Sequence, residues 1–467
     1  MCAWSKGAAT TMPTETSAAA EVRSPAAAGH AAPSLLDPFV FWGVFGLLLF
    51  GPVAFGAVEP WSILILETGA AVLLALWAIR QAQSGELQIF SNPLFFPMLA
   101  FAAVVILQLA LGRTAYRYQT FSSALLYCAY GTLCFLAAQC LRRTAQVKML
   151  TAVFSSYGFA VALFALVQGI SSKGKLYWVR TPAHGGWIYG PYVNHDHYAG
   201  LMEMLAPIPL VFALTHYAHG RRRIMAAVAA AVMASSIFLS GSRGGMAAFA
   251  VEIAVLTVLA SKKQKPGKAG LAAGIFVAVI VGLLAWLGGG ELARRMASIH
   301  TEAQAELSGG TRIAMDRDAL KMFAQRPILG WGLGVFPTVY PQFRSFYTDF
   351  YVNAAHNDYL QLLVETGGLG FATMLGFLVV LYRQAIRKLG NWPADTNGAV
   401  ALAAMLGVTG ILVHSLVDFN LQIPANAALF YVFCVLAATE PRFGLASRVV
   451  RRRAVPPENP QRSEAPA

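Results

Sequence analysis

The chain has 467 residues, 57% of them hydrophobic and only 12% charged, with a mean hydropathy of +0.56. An ordinary soluble protein is about 25% charged, so the composition excludes a soluble globular domain and points to a polytopic integral membrane protein. The net charge of +13 reads as basic cytoplasmic loops and not as nucleic-acid binding, because Lys and Arg concentrate on the cytoplasmic side of membrane proteins.

Residues 1–35 are rich in Ala, Thr, Ser, Pro and Glu without apolar periodicity and read as a disordered cytoplasmic tail. No basic stretch stands directly before a short apolar run with a cleavage site, so no signal peptide is expected. From Pro38 onward, apolar segments long enough to cross a hydrocarbon core recur. They lie near 38–58, 62–80, 93–111, 121–141, 149–171, 198–216, 224–240, 244–260, 270–288, 357–382, 398–417 and 424–440. The expected fold is therefore all-α, with about twelve transmembrane helices, each satisfying its backbone hydrogen bonds internally. Cys128, Cys134, Cys140 and Cys434 fall within these segments and Cys2 in the tail, so they read as apolar fillers and no disulfide framework is expected.

With the N-terminus inside, 22 of the 35 Lys and Arg lie in cytoplasmic segments and 13 on the opposite side, seven of those in one long loop that carries little weight. Both termini are thus expected in the cytoplasm. The chain divides into the tail 1–35, N-terminal transmembrane helices 36–171, a region 172–440 that carries the polar motifs, and a basic cytoplasmic tail 441–467. Two outer loops, 172–197 and 289–355, are too long to be turns, the second lying between helices 9 and 10. Within it, TRIAMDRDALKMFAQ (311–325) predicts an amphipathic helix with Ile313, Leu320 and Phe323 on one face. Pro327 ends it, and a glycine-rich turn, ILGWGLGVF, follows.

This topology gathers the unusual polar residues on the outer side: Arg180, His184, Asn194, His195, Asp196, His197, Arg243, Arg312, His356, Asn357, Asp358 and Asp418. Arg243 sits in SGSRGG (240–245), where small residues allow close approach of a ligand and the guanidinium suits phosphate oxygens. Asn194, His195, Asp196 and His197 stand directly before a span. Metal ligation, substrate hydrogen bonding and an interface role are all open to them. Asp316 and Asp318 are two apart on a helix and point about 200° apart, so they cannot grip one cation. Arg312 and Asp316 are spaced for a local ion pair, and Arg312 is a second candidate for anion binding. At 356–370, HNDYLQLLVETGGLG, Asn357 or Asp358 can cap a helix, and Asp358, Gln361 and Glu365 form one polar stripe that suits an interhelical hydrogen bond. His356 is the side chain best suited to exchange a proton near neutral pH.

Taken in order, GPYVNHDHYAG (190–200), SGSRGG (240–245), TRIAMDRDALKMFAQRPILGWGLGVF (311–336), HNDYLQLLVETGGLG (356–370) and HSLVDFNLQIPANAALF (414–430) resemble the O-antigen ligase and polysaccharide polymerase family of bacterial membrane glycosyltransferases. The family's pattern of His, then Asn, Ser or Gln, then nine residues before Gly-x-x-Gly is met by His356, Asn357, Gly367 and Gly370. The resemblance implies that a glycan leaves an undecaprenyl diphosphate carrier and joins a glycan or lipid A core acceptor at the periplasmic face of the bacterial inner membrane. It implies that His356 activates the acceptor hydroxyl and that Arg243, with Arg312, engages the donor diphosphate. Arg180, Asn194, His195, His197 and Asn357 are expected to bind substrate. Asp196 stands where the most similar members carry Asn, and those members are of the exopolysaccharide type. No metal and no cofactor is expected: a diphosphate is already a good leaving group, so arginines and a histidine suffice for inverting transfer. The rival reading is a transporter or flippase of lipid-linked saccharides. It would place ionisable groups at the midplane and show two similar halves, and no repeat is visible.

Overall fold

The computed structural model describes residues 35–85, 87–181, 188–263, 274–285, 309–348 and 351–439. The two tails, Cys2, His184 and residues 286–308 of the long outer loop lie outside the described residues.

The helices in chain order are α1 (Leu36–Val53), α2 (Pro60–Gln83), α3 (Phe95–Ala110), α4 (Arg117–Cys140), α5 (Thr144–Ser171), α6 (His195–Leu205), α7 (Pro207–Leu214), α8 (Gly220–Ser240), α9 (Arg243–Ser261), α10 (Gly274–Ala285), α11 (Gly309–Gln325), α12 (Phe336–Val339), α13 (Asp358–Lys388), α14 (Thr396–His414) and α15 (Pro424–Ala438). Among the described residues no strand forms, only isolated bridges between Leu176 and Arg180 and between Tyr189 and Tyr192. Among the described residues, nine helical spans are long and apolar enough to cross a membrane, with α6 and α7 together forming one of them. α3, α10 and α15 are apolar but only 10–17 residues long. The described residues make an all-helical polytopic membrane protein, with nine full-length spans and three shorter apolar helices against the twelve spans expected.

Lipid offers helices no hydrophobic reason to associate, so close packing of small residues must hold them. α14 reads TNGAVALAAMLGVTGILVH and lies against α9, α15, α7 and α6. A Cβ at Gly407 would press on the backbone of Met204, so this glycine lets α14 and α6 touch. Every residue of α6 and of α15 is buried. Large apolar side chains on the periphery, such as Leu64, Ile106 and Val258, stay exposed for lipid.

α13 is not a continuous helix. Gly367 adopts φ +67° and ψ −175° inside it. The backbone groups freed by that break pair with the preceding turn. Gly368 N–H donates to Pro327 O (2.7 Å), Leu369 N–H to Ile328 O (3.2 Å), Trp331 N–H to Val364 O (3.0 Å) and Gly332 N–H to Glu365 O (2.9 Å). Irregular backbone is tolerated at membrane depth only where protein satisfies it in this way. A Cβ at Gly367 would strike the Ile328 carbonyl, and one at Gly330, itself at φ +68°, would strike the Glu365 backbone.

The amphipathic helix exists as α11, but its buried face differs from expectation. Ile313 and Leu320 are exposed, while Met315, Asp318, Ala319 and Met322 are buried, with Phe323 packed at the edge. Tertiary contacts with Val335, Phe336, Val339, Tyr340 and Val364 select that face, making a small second core over the start of α13. Asp318 therefore does not lie on a solvated face. It accepts from Lys321 Nζ (2.9 Å) and from the N–H and hydroxyl of Ser345 (both 2.8 Å).

Candidate active site

His356 stands just before the N-cap of α13 with a left-handed backbone, φ +51°. That conformation costs a non-glycine residue about 1–2 kcal/mol and calls for compensation. The ring supplies it. His356 Nδ1 lies 3.2 Å from Asp418 Oδ1, and its face meets Phe419 with centroids 4.7 Å apart. The side chain is 15% exposed, whereas Asp418 is 1% exposed. Asp418 Oδ2 has no hydrogen-bond partner among the described residues. Burial pushes the Asp418 carboxyl up, but the His356 hydrogen bond and the rings of His197, His356 and His414 outweigh it and hold the group well below the usual carboxylate range.

Two arginines border the corner 414–418. Arg243 is the exposed first residue of α9, whose start is capped by Ser242 Oγ accepting from Gly245 N–H at 3.1 Å. Side chains at Gly244 and Gly245 would strike the His414 ring and Ala199, so these glycines seat α9 against α14 and α6. Arg312 reaches the same corner from α11, donating from Nη1 to Val417 O at 2.9 Å. Its Nε is buried without a partner among the described residues. The expected Arg312–Asp316 pair gives way to these contacts: Asp316 is hydrogen-bonded to Asn357, and its carboxyl is pushed up by burial, with Asn357 opposing.

The other expected site residues are placed as follows. Asn357 caps α13, its Oδ1 accepting from Leu360 N–H at 3.2 Å. Asn194 caps α6 by accepting from Asp196 N–H at 2.8 Å. His195 is buried with Nε2 3.6 Å from Asp196 Oδ1. His197 packs its ring on the other side of the site against Phe419, centroids 4.6 Å apart, and its Nε2 has no partner among the described residues. Arg180 is engaged elsewhere, 2.6 Å from Glu59 Oε1 and over the Phe55 ring. The fold thus brings His356, Arg243, Arg312, Asn357 and His197 around one corner and does not bring Arg180 into it.

The polar stripe on α13 holds neighbouring segments, and at Glu365 it reaches other helices: its carboxylate accepts from the first residue of α12 and its carbonyl from Gln108 of α3. Asp358 accepts from Ser415 Oγ (2.7 Å), Leu421 N–H (2.9 Å) and Gln422 Nε2 (3.1 Å), pinning the corner that carries Asp418. Glu365 accepts from the N–H groups of Gly334 (2.8 Å) and Phe336 (3.2 Å), pinning the glycine-rich turn.

Two residues escaped the sequence reading. Glu203 and His414 are fully buried, with His414 Nδ1 2.8 Å from Glu203 Oε1. An acidic residue inside the 198–216 span was the available signal, since ionisable groups in spans are functional candidates by default. Asp196, His414 and Asp418 bring one potential ligand atom each within 4.8 Å of one another. Three donors fall short of the four-ligand set of a closed metal site, and two of the three residues are already paired, Asp418 with His356 and His414 with Glu203.

Fold and site define a polytopic membrane protein with a histidine–carboxylate dyad and two arginines at one end of its bundle. Residues 227–375, running from α8 into α13, match the family model of the O-antigen ligases. That match carries Arg243, Arg312, His356 and Asn357, and it supports the O-antigen ligase family and, in general, a membrane glycosyltransferase of ligase or polymerase type. No curated protein matches the chain.

Proposed function

We propose that the protein moves a glycan from a polyprenyl (undecaprenyl) diphosphate carrier to an acceptor hydroxyl on a glycan or lipid A core, as an O-antigen ligase or an O-antigen or exopolysaccharide polymerase. The site faces the periplasm from the inner membrane, with both termini cytoplasmic. The observation that carries this reading is the pairing of His356 with buried Asp418 beside the corner that Arg312 reaches.

The tautomer follows from that pairing. Nδ1–H donates to Asp418, which leaves Nε2 as the base. Nε2 takes the proton of the acceptor hydroxyl as its oxygen bonds to the anomeric carbon. The bond from that carbon to the phosphate oxygen breaks, and its electron pair leaves on the diphosphate. Asp418 stabilises the imidazolium so formed. The charges of Arg243 and Arg312 neutralise the leaving diphosphate. Displacement from the face opposite the leaving group inverts the anomeric carbon, and no step requires a metal. An apolar cavity of about 570 Å³, lined along α3 from Phe95 to Leu109, gives a lipid chain a place beside the bundle.

The experiment is transfer by the purified protein from a lipid-diphosphate-linked glycan, with the product identified by mass spectrometry. A product of inverted linkage is expected, and loss of transfer in Arg243→Ala with the fold intact. Movement of the donor across vesicles without covalent transfer would overturn the reading.

A further inference from the structure

We propose that Glu203 and His414 form a buried positioning pair that divides the charge of Asp418 between two histidines and thereby sets how readily His356 takes a proton. The inference rests on the glycosyl-transfer reading and adds to it residues outside the matched family region.

The geometry is built by packing. Gly407 seats α14 on Met204 of α6, which sets the neighbouring Glu203 against the end of α14. Gly244 seats the start of α9 on the face of His414. His414 then stands between two carboxylates. Nδ1 is 2.8 Å from Glu203 Oε1, and Nε2 is 4.0 Å from Asp418 Oδ2. Ser242 Oγ lies 3.5 Å from the same Nε2. Nδ1 donates to the Glu203 carboxylate, and the other side of the ring stands at charge-pair distance from Asp418 Oδ2. Asp418 is thus shared, with Oδ1 toward His356 and Oδ2 toward His414.

Scaffolding does not account for this pair. Buried carboxylates that hold backbone in this protein are well bonded, as Asp358 and Glu365 are. Glu203 Oε2 and Asp418 Oδ2 have no hydrogen-bond partner among the described residues. Burying such groups is expensive, and a leucine pair of similar volume would serve packing better. The groups facing the unit are Asp196 and His197 from α6, Ser242 and Glu252 from α9, and Asp358 from α13, with His195 behind Asp196. His414 is the ring among them that touches both Glu203 and Asp418.

The test measures kcat and KM for a lipid-diphosphate-linked donor against pH, using the full chain in detergent, for the parent, Glu203→Gln and His414→Gln. Removing either partner leaves Asp418 wholly to His356. The acid limb of kcat/KM should then move up by about one pH unit. At neutral pH kcat should fall about tenfold, with donor KM unchanged and partial recovery in Glu203→Asp. Should His414→Gln fail to fold, the near-isosteric Glu203→Gln carries the test. An unmoved acid limb in a folded variant overturns the inference, as does a loss equal at every pH that tracks a lowered melting temperature. Stoichiometric metal in the purified parent, lost in Glu203→Gln and His414→Gln, also overturns it, because the cluster is then a metal site. A parent that transfers nothing overturns the glycosyl-transfer reading itself and takes the inference with it.

Discussion

Asp358 and Asp418 are both buried and belong to the same corner of the fold, yet they are treated in opposite ways. Asp358 receives three hydrogen bonds, two through side chains and one from the Leu421 backbone. Glu365, two turns further along α13, receives two from backbone and one from Gln361 at 3.2 Å. Asp418 receives one, from the ring of His356, and keeps an oxygen unpartnered among the described residues. A buried carboxylate saturated with donors has no capacity left and acts as a clamp. One left half-satisfied beside an imidazole retains its charge for whatever the ring does next. On the proposed function, the difference separates the holding carboxylates from the one beside the base.

That contrast can be broken at several points. The largest effect belongs to His356→Ala, expected to lower transfer by about 10²–10⁴-fold with thermal unfolding close to the parent's. Transfer at the parental rate would move His356 into the class of holding groups. Asp418→Asn keeps the shape of the side chain but removes its charge, and should lower kcat by about 10²-fold or more. A melting temperature that falls while kcat per folded molecule stays unchanged would place Asp418 with Asp358. On the scaffold side the order reverses. Gly367→Ala forces a side chain onto the Ile328 carbonyl at a positive φ and should cost about 2–3 kcal/mol, read from denaturation in detergent. Asp358→Ala leaves Leu421 N–H without its acceptor and should cost about 1–3 kcal/mol, lowering stability more than kcat.

The smallest effect is at Asp318, outside the membrane. Burial pushes its carboxyl up, but the bonds from Lys321 and Ser345 outweigh burial, so its folded value lies below the ordinary one. Its contribution is therefore present above the unfolded value of about 3.9 and is lost as pH falls through the folded value. The melting difference between the parent and Asp318→Asn should be steady at neutral pH and close in strong acid. A difference that persists unchanged in acid would assign the effect to packing.

The linear order of residues determined the membrane class and the helical fold, because crossing lipid demands long apolar stretches whose backbone bonds are internal. It also marked His356, Arg243 and Arg312, because polar groups at the edge of apolar segments stand out against their neighbours. Only the tertiary structure decided which face of α11 is buried, since its packing against Val335, Phe336 and Val364 overrides a weak apolar stripe. It alone showed that the glycines of SGSRGG seat α9 on His414 and Ala199. And it alone joined Glu203, His414, Asp418 and His356, which are scattered over 216 residues of chain. Spacing along one helix reveals which residues share its face. It carries no information about a line of contacts that passes from α6 to α14 and across to the start of α13.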